Sequence, residues 1–266
     1  KVMARPQLPN LNPGGTVNTT VRTITTGNPL LEPFRATTYD LSAEWYFAES
    51  SLLSVSLFYK DIDTYIQTLR ETRPFNTTGL PLELLAVSGL PADTPFDITS
   101  PVNTTGGPLQ GFEINYQQPF SFLPGVWSGF GLLLNYTHVE SEIDYAISPT
   151  SSLFVTADLV NLSPDAYNAT FYYENKRFSA RVSGSYRDRY LQTVPGRNGN
   201  NFEGKNETFN VDANLTYNVN DKLTLTLEGI NLTDEYNDQF VDTVGDRASV
   251  YHHTGRQYFV GARYAF

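Results

Sequence analysis

Nine stretches of this chain repeat with a period of two, and that period constrains the fold more than anything else in it. In the last stretch, Tyr258, Val260, Ala262, Tyr264 and Phe266 share one parity. The other parity carries Gly261 and Arg263, flanked by Phe259 and Ala265. Phe209, Val211, Ala213, Leu215 and Tyr217 alternate with Asn210, Asp212, Asn214 and Thr216. Leu223, Leu225 and Leu227 alternate with Thr224, Thr226 and Glu228. Similar runs begin near Tyr39, Leu53, Phe112, Phe130, Asp165 and Phe178. Alternate side chains of a strand point to opposite faces, so each run makes a strand with one apolar and one polar face. With 17 Tyr, 17 Phe, many Thr and Asn, and Gly/Pro-rich breaks, the chain reads as all-β.

Alternation alone suits a soluble sandwich as well as a membrane barrel, and the connections separate the two. Short breaks near 48–50, 119–126, 174–177 and 218–222 alternate with long ones near 1–36, 70–108, 144–163, 191–206 and 238–252. A sandwich has no reason to collect all its long loops at one end, whereas outer-membrane barrels have short periplasmic turns and long extracellular loops. The apolar faces also begin or end in Tyr, Trp or Phe, as interfacial girdles do. Runs of about nine to eleven residues suit tilted strands crossing about 25 Å of hydrocarbon. A C-terminal Phe is costly in water and natural beside lipid. The expected fold is an antiparallel transmembrane β-barrel wall, with a periplasmic C-terminus and the long loops outside.

The polar parity carries Glu44, Glu113, Arg181, Arg187, Asp212, Glu228 and Arg263. A charge on the lipid face costs a few kcal/mol near the midplane, so these residues are expected to face the lumen. They are spread over many strands and depths, which favours a lining that holds an internal domain over a substrate path.

Other classes are disfavoured. The net charge of −10 lacks the basic field that a nucleic-acid partner needs. The longest nearly charge-free stretch, Ile114 to Thr137, contains two prolines and several amides and cannot be a spanning helix. No Cys is present for a disulfide or thiolate site. His252 and His253 point to opposite faces if they lie on a strand, so no metal or cofactor is expected. No nucleophile elbow or phosphate loop occurs, and no enzyme activity is expected. Lys1–Pro6 has no apolar signal-peptide core, and a bacterial barrel has an even number of strands. Nine strands plus a possible stub at Lys1–Arg5 are therefore expected to be part of a longer chain.

A family resemblance then becomes specific. Gly27-Asn28-Pro29-Leu30-Leu31-Glu32-Pro33-Phe34, followed by Tyr39-Asp40-Leu41-Ser42-Ala43-Glu44-Trp45-Tyr46-Phe47, resembles a passage of TonB-dependent outer-membrane receptors. Phe58-Tyr59-Lys60-Asp61-Ile62 is similar to their next strand. Asn231-Leu232-Thr233-Asp234-Glu235-Tyr236, Gly255-Arg256-Gln257-Tyr258 and Tyr264-Ala265-Phe266 resemble the family's C-terminal signature. The first passage is nearest the Xanthomonas/Caulobacter-type branch. The resemblance implies the last nine or ten strands of a barrel of about 22, with the N-terminal plug and early strands lying outside this sequence. It implies import of an oligosaccharide or a ferric siderophore. The implied partners are the plug, the remaining strands, TonB, the assembly machinery, lipid or lipopolysaccharide, and a small-molecule substrate. Tyr258, Val260, Tyr264 and Phe266 would carry the outer-membrane assembly signal.

Loop and upper-wall residues suited to either substrate are Tyr65, Arg187, Arg189, Tyr190, Arg197, Asp242 and Tyr251. A passive porin is the alternative. A ten-stranded outer-membrane hydrolase is a weaker one, because it needs acids converging with one of His138, His252 and His253. An open sheet in lipid leaves backbone groups unpaired, so the 266 residues alone are expected not to form a closed, stable barrel. Heat-modifiable migration of this chain alone in detergent gels would contradict that.

Overall fold

The computed structural model describes residues 1–149, 153–197 and 199–266. Residues 150–152 and 198, inside the expected loops 144–163 and 191–206, lie outside the described residues. Nine long strands carry the nine alternating runs. They are β1 (Phe34–Ala48), β2 (Ser51–Pro74), β3 (Pro108–Pro119), β4 (Phe130–Ser141) and β5 (Asp165–Glu174). β6 (Phe178–Arg187), β7 (Thr208–Asn218), β8 (Leu223–Ile230) and β9 (Gln257–Tyr264) complete the set. Each is hydrogen-bonded to the next in chain order, an antiparallel meander. No helix among the described residues is long and apolar enough to cross a membrane. The short turns are made by side chains: Asn175 Oδ1 accepts from the backbone N–H groups of Arg177 and Phe178, both at 2.9 Å. Asn220 Oδ1 does the same for Lys222 and Leu223, at 2.9 and 3.0 Å.

The chain forms two compact units, and β1 to β4 contribute residues to both. The larger unit comprises Tyr39–Tyr59, Gln110–Glu140 and Asp158–Phe266. Its strand register assigns the faces. Leu132, Phe171, Val182, Ala213, Gly229 and Tyr258 are successive cross-strand partners on one face. Gly131, Tyr172, Arg181, Asn214, Glu228 and Phe259 are partners on the other. The first face is apolar throughout its centre and open to the surroundings: Val182 is 50% exposed and Val260 86%. Among the described residues only Val139, Val194 and Phe240 are buried hydrophobics of this unit. So much uncovered apolar surface on a single sheet is untenable in water and suits hydrocarbon.

Two aromatic rows bound this face. Tyr136, Tyr167, Tyr186 and Phe209 are partners in one, where Tyr167 stacks on Tyr186 at 4.8 Å. Tyr136 Oη donates to Asp165 at 2.6 Å, giving the ring's polar end its partner. Phe130, Tyr173 and Phe178 make the other row, with ring separations of 4.8 and 6.0 Å. Phe178 to Tyr186 covers about 27 Å of strand, or about 20 Å along a barrel axis tilted about 40° from it. That approaches the height of a transmembrane apolar band.

The opposite face is stitched by polar side chains. Asn115 Nδ2 donates to Ser54 Oγ at 3.3 Å, and Asn135 Nδ2 donates to Asn115 Oδ1 at 2.6 Å. The Thr170 and Ser183 hydroxyls are 2.9 Å apart. Leu133 interrupts the polarity of this face as a lone apolar member of the Thr170–Ser183 row.

The smaller unit comprises Lys1–Thr38, Lys60–Leu109 and Ser141–Ala157. Here the expectation of long irregular loops is corrected. Gly15–Asn18, Thr23–Thr26, Pro95–Thr104 and the end of β2 make a four-stranded sheet, in which Thr23–Thr26 and Pro95–Thr104 run parallel. Val2–Ala4 pairs with Phe34–Ala36, so the expected stub is a strand. Ile143–Ala146 pairs with Phe154–Ala157, and the buried Gln67 amide grips Ala146 through its N–H and C=O at 3.0 and 2.9 Å. These segments alternate over only three to five residues, too few for the period to stand out against their Pro and Gly. Ile24, Phe75, Leu85, Phe96 and Ile98 form the core. The two units thus use the same alternation in opposite ways, one with its apolar face covered and the other with it bare.

Val182→Arg is expected to destabilise the folded protein by about 2–4 kcal/mol in a bilayer, while Ser183→Arg costs about 1 kcal/mol or less. Denaturant unfolding in lipid vesicles measures both, and equal costs would contradict the assigned faces.

Candidate functional site

Six of the seven candidate contact residues come together in one element of the larger unit. Beyond the upper aromatic row, Tyr190–Thr193, Glu203–Lys205, Tyr236–Val241 and Arg247–His253 pair into a four-stranded sheet. Of two expected loops, 191–206 carries a short strand at each end and 238–252 is largely strand. Arg187, Arg189, Tyr190, Arg197, Asp242 and Tyr251 lie in this sheet or at its margin. Tyr65 belongs to the smaller unit, where its ring meets Tyr145 edge-on at 6.0 Å.

The arginines are held by the protein itself. Arg187 donates to Ser163 Oγ at 2.7 Å and to the Asn161 carbonyl at 2.8 Å, and its guanidinium lies 3.8 Å over the Tyr190 ring. Arg189 lies 3.8 Å over the buried Phe240 ring, with Asp246 at 3.5 Å. Arg197 meets Glu203 three ways: its backbone N–H at 2.7 Å, Nε at 2.8 Å and a terminal nitrogen at 2.7 Å. Glu203 is buried. Asp242 adopts a left-handed φ of 68°, accepts from the Val244 N–H at 3.1 Å and faces Arg247 at 3.4 Å. Cation–π contacts and an ion pair between a buried carboxylate and an exposed guanidinium do here what an apolar core does elsewhere.

The groups presented outward are aromatic. Tyr251 is 63% exposed and stacks on Tyr236 at 5.1 Å, and Tyr236 packs on His253 at 4.6 Å. His253 Nε2 lies 2.9 Å from Asp234, which Arg256 approaches at 3.9 Å. Hydrogen bonding from His253, aided by the Arg256 charge, holds the Asp234 carboxyl below its ordinary range against a smaller effect of burial. Asn231 knits this corner: its amide donates to the carbonyls of Glu235 and Gly255 and accepts from the Glu235 N–H at 2.7 Å. Asn231 sits in a stretch that sequence reasoning read only as a family signature.

The charged wall residues distribute as follows. Arg181, Asp212, Glu228 and Arg263 share the polar face by register with Asn214, Ser183 and Thr224. Glu113 has the parity of Asn115 on β3, and Glu44 accepts from Tyr46 Oη at 2.6 Å on β1. Tyr258, Val260 and Tyr264 lie on the apolar face of β9, and the exposed Phe266 ring meets Tyr264 edge-on at 5.4 Å. His138 and Asp165, 2.9 Å apart, form an acid–base pair that sequence spacing did not reveal. Register makes them neighbours at the ends of β4 and β5, where Asp165 also holds Tyr136.

A meander with a bare, aromatic-bounded apolar face and a charged polar face is the wall of an outer-membrane β-barrel. The chain belongs to the TonB-dependent receptor-like β-barrel family, whose model matches residues 1–232. Its structure is similar to that of a variant of the ferric enterobactin receptor PfeA from Pseudomonas aeruginosa, at 16% identity and a TM-score of 0.62. That match covers 99% of this chain and 37% of the other. The ferric-catecholate import receptor Fiu from E. coli K12 is similar at 19% identity and a TM-score of 0.56, over 88% of this chain and 28% of that one. The siderophore receptor PirA from Acinetobacter baumannii is similar at 16% identity and a TM-score of 0.55, over 96% and 35%. At these identities the likeness is one of fold, and the chain spans about a third of the length of these receptors. No curated protein matches the chain.

Burial pushes the Glu203 carboxyl up, and Arg197's side-chain bonds, backbone N–H and charge together outweigh it and hold it below its ordinary range. A depressed carboxyl stabilises fully above its unfolded pKa, near about 4.3, and loses that contribution as pH falls through the folded value. Hydrogen-exchange protection factors in 190–193 and 203–205 should therefore drop as pH falls below about 4. Glu203→Gln should lower them at neutral pH and flatten this dependence. Unchanged wild-type protection down to pH ~2 would contradict the ion pair's role.

Proposed function

We propose that this chain is the C-terminal wall of an outer-membrane receptor that imports a scarce nutrient, an oligosaccharide or a ferric siderophore, with energy delivered by TonB. The observation that carries this reading is the two-faced nine-strand wall in a chain of the TonB-dependent receptor family. In this reading the C-terminus and the short turns are periplasmic, and the four-stranded sheet and the smaller unit are extracellular. Glu44, Glu113, Arg181, Asp212, Glu228 and Arg263 line the lumen against an N-terminal plug. The apolar face meets lipid and lipopolysaccharide, and Tyr258, Val260, Tyr264 and Phe266 are read by the assembly machinery.

Among the candidate contacts, Tyr251 offers the most ring surface to a ligand; Tyr190, lying under Arg187, and Tyr65 of the smaller unit, packed against Tyr145, offer less. Arg187, Arg189, Arg197 and Asp242 serve mainly by holding the sheet that presents those rings. Arg189, Arg197 and Asp242 each face an opposite charge and Arg187 is bonded to Ser163 and the Asn161 carbonyl, so they position more than they bind.

Uptake of labelled ferric catecholate and of labelled oligosaccharides, in cells with and without TonB, tests the reading. Import through the whole receptor should fall to background without TonB. Import that persists unchanged would make the wall that of a passive porin.

A further inference from the structure

The four-stranded sheet of the smaller unit has two unlike faces. Val17, Ile24 and Ile98 point into the core with Phe75 and Phe96. On the opposite parity, Thr16 pairs with Thr25, and Thr25 with Thr99, so three threonines stand in one row at strand spacing, about 4.8 Å apart. On β2 the partner of Thr99 is Arg70, and Thr68 lies two residues away on the same parity, opposite Pro101. These threonines floor a cavity of about 370 Å³ whose side wall is the segment from Pro9 to Gly14. That volume falls in the range of small-molecule pockets, about 300–1,000 Å³.

The lining is polar but uncharged. It contains Thr, Ser, Asn, Gly and Pro, with no Lys, Arg, His, Asp or Glu and no aromatic ring. The nearby Arg70 is bonded to Asp97, which also accepts from Thr72 at 2.5 Å. Among the described residues, the hydroxyls of Thr16, Thr25, Thr68, Thr99 and Ser100 make no hydrogen bond within the chain. Five groups that can each donate and accept are thus gathered in one concavity.

The cavity is built, not incidental. A Cβ on Gly27 would come within 2.5 Å of the Asn12 carbonyl, 2.8 Å of that of Asn10 and 2.9 Å of that of Pro9. Only glycine lets the wall approach this closely. Asn28 N–H then bonds the Asn10 carbonyl at 2.6 Å, and Asn28 Nδ2 bonds the Pro101 carbonyl at 3.2 Å. The Gly27-Asn28 pair thereby clamps the wall to the threonine floor.

We propose that this cavity is a binding subsite for a neutral polyhydroxylated ligand, a segment of an uncharged oligosaccharide. Sugar hydroxyls both donate and accept, which matches a floor of free hydroxyls. An anionic chelate would find no cation there to offset its desolvation, and an apolar ligand would strand the hydroxyls without partners. The proposal deepens the receptor reading: it rests on that reading for import of the ligand, but not for its binding.

The test uses the whole receptor in detergent or nanodiscs, with malto-, cello- and xylo-oligosaccharides and a ferric catecholate as calorimetric probes. At least one neutral oligosaccharide should bind. The double variant Thr25→Val with Thr99→Val should weaken that binding about tenfold, while Thr25→Ser with Thr99→Ser retains it within about twofold. Heat-modifiable migration checks that both variants fold. The subsite is overturned if none of the oligosaccharides binds, or if the valine variant binds as the wild type does. A receptor that imports ferric catecholate only with TonB but binds no oligosaccharide would overturn the subsite and leave the receptor reading standing. Oligosaccharide binding lost in the valine variant, with import indifferent to TonB, would do the reverse.

Discussion

A peptide group facing hydrocarbon has no water to bond, and each one left unpaired costs several kcal/mol. That single constraint dictates the wall. It requires each strand in lipid to be paired on both sides, and the meander does so for its inner strands with neighbours in sequence, because turns such as Asn175–Arg177 return the chain at once. It also locks the register. A slip of one residue would carry Arg181 or Asp212 to the apolar face and Val182 to the polar one, a cost paid at every row of the sheet. The same requirement bears on the sheet's margins. β9 and the Tyr39–Ala48 part of β1 each have a single neighbour in their unit among the described strands, so each needs a partner strand if it is to sit in lipid.

Once the wall solves its solvation outward, it has no core to share with the remaining elements. Those elements stabilise themselves by other means. The smaller unit gathers Phe75, Phe96, Ile24 and Ile98 into a core of its own, because a sheet in water must cover one face. The four-stranded sheet of the larger unit buries little apolar surface beyond Phe240 and Val194. It substitutes arginines laid on aromatic rings and the Arg197–Glu203 pair. Such contacts are directional, and removing Arg197 would leave the buried Glu203 carboxylate without its partner. Rigidity of the ring-bearing edge at Tyr236 and Tyr251 therefore depends on arginines that are already engaged with rings, carbonyls and carboxylates of the chain.

The wall was legible in the sequence because its physics is periodic. Nine runs of alternating residues gave nine strands, and the short breaks became the observed turns. The charges Arg181, Asp212, Glu228 and Arg263 fell together on the face that alternation assigns them. The remaining elements were not legible, for the converse reason. In Thr23–Thr26 or Glu203–Lys205 three or four residues alternate, and their partners lie far along the chain or run parallel, so no local pattern marks them. The His138–Asp165 pair is separated by 27 residues and exists only because two strand ends meet in register.

The candidate contacts show where residue type misleads. Arginine, aspartate and tyrosine in loops are common in ligand sites, yet the same chemistry is what a loop without an apolar core needs to hold itself together. Sequence cannot say which demand is met first. Arg187, Arg189 and Arg197 are occupied, since each has a partner supplied by a neighbouring strand or turn. Threonines drew no attention, because a hydroxyl on a strand is ordinary and carries no charge. Only the register that aligns Thr16, Thr25 and Thr99, and the glycine that lets a second segment close over them, turns ordinary residues into a concavity with unspent hydrogen bonds. The groups best placed to bind are those whose hydrogen-bonding capacity the fold has left over.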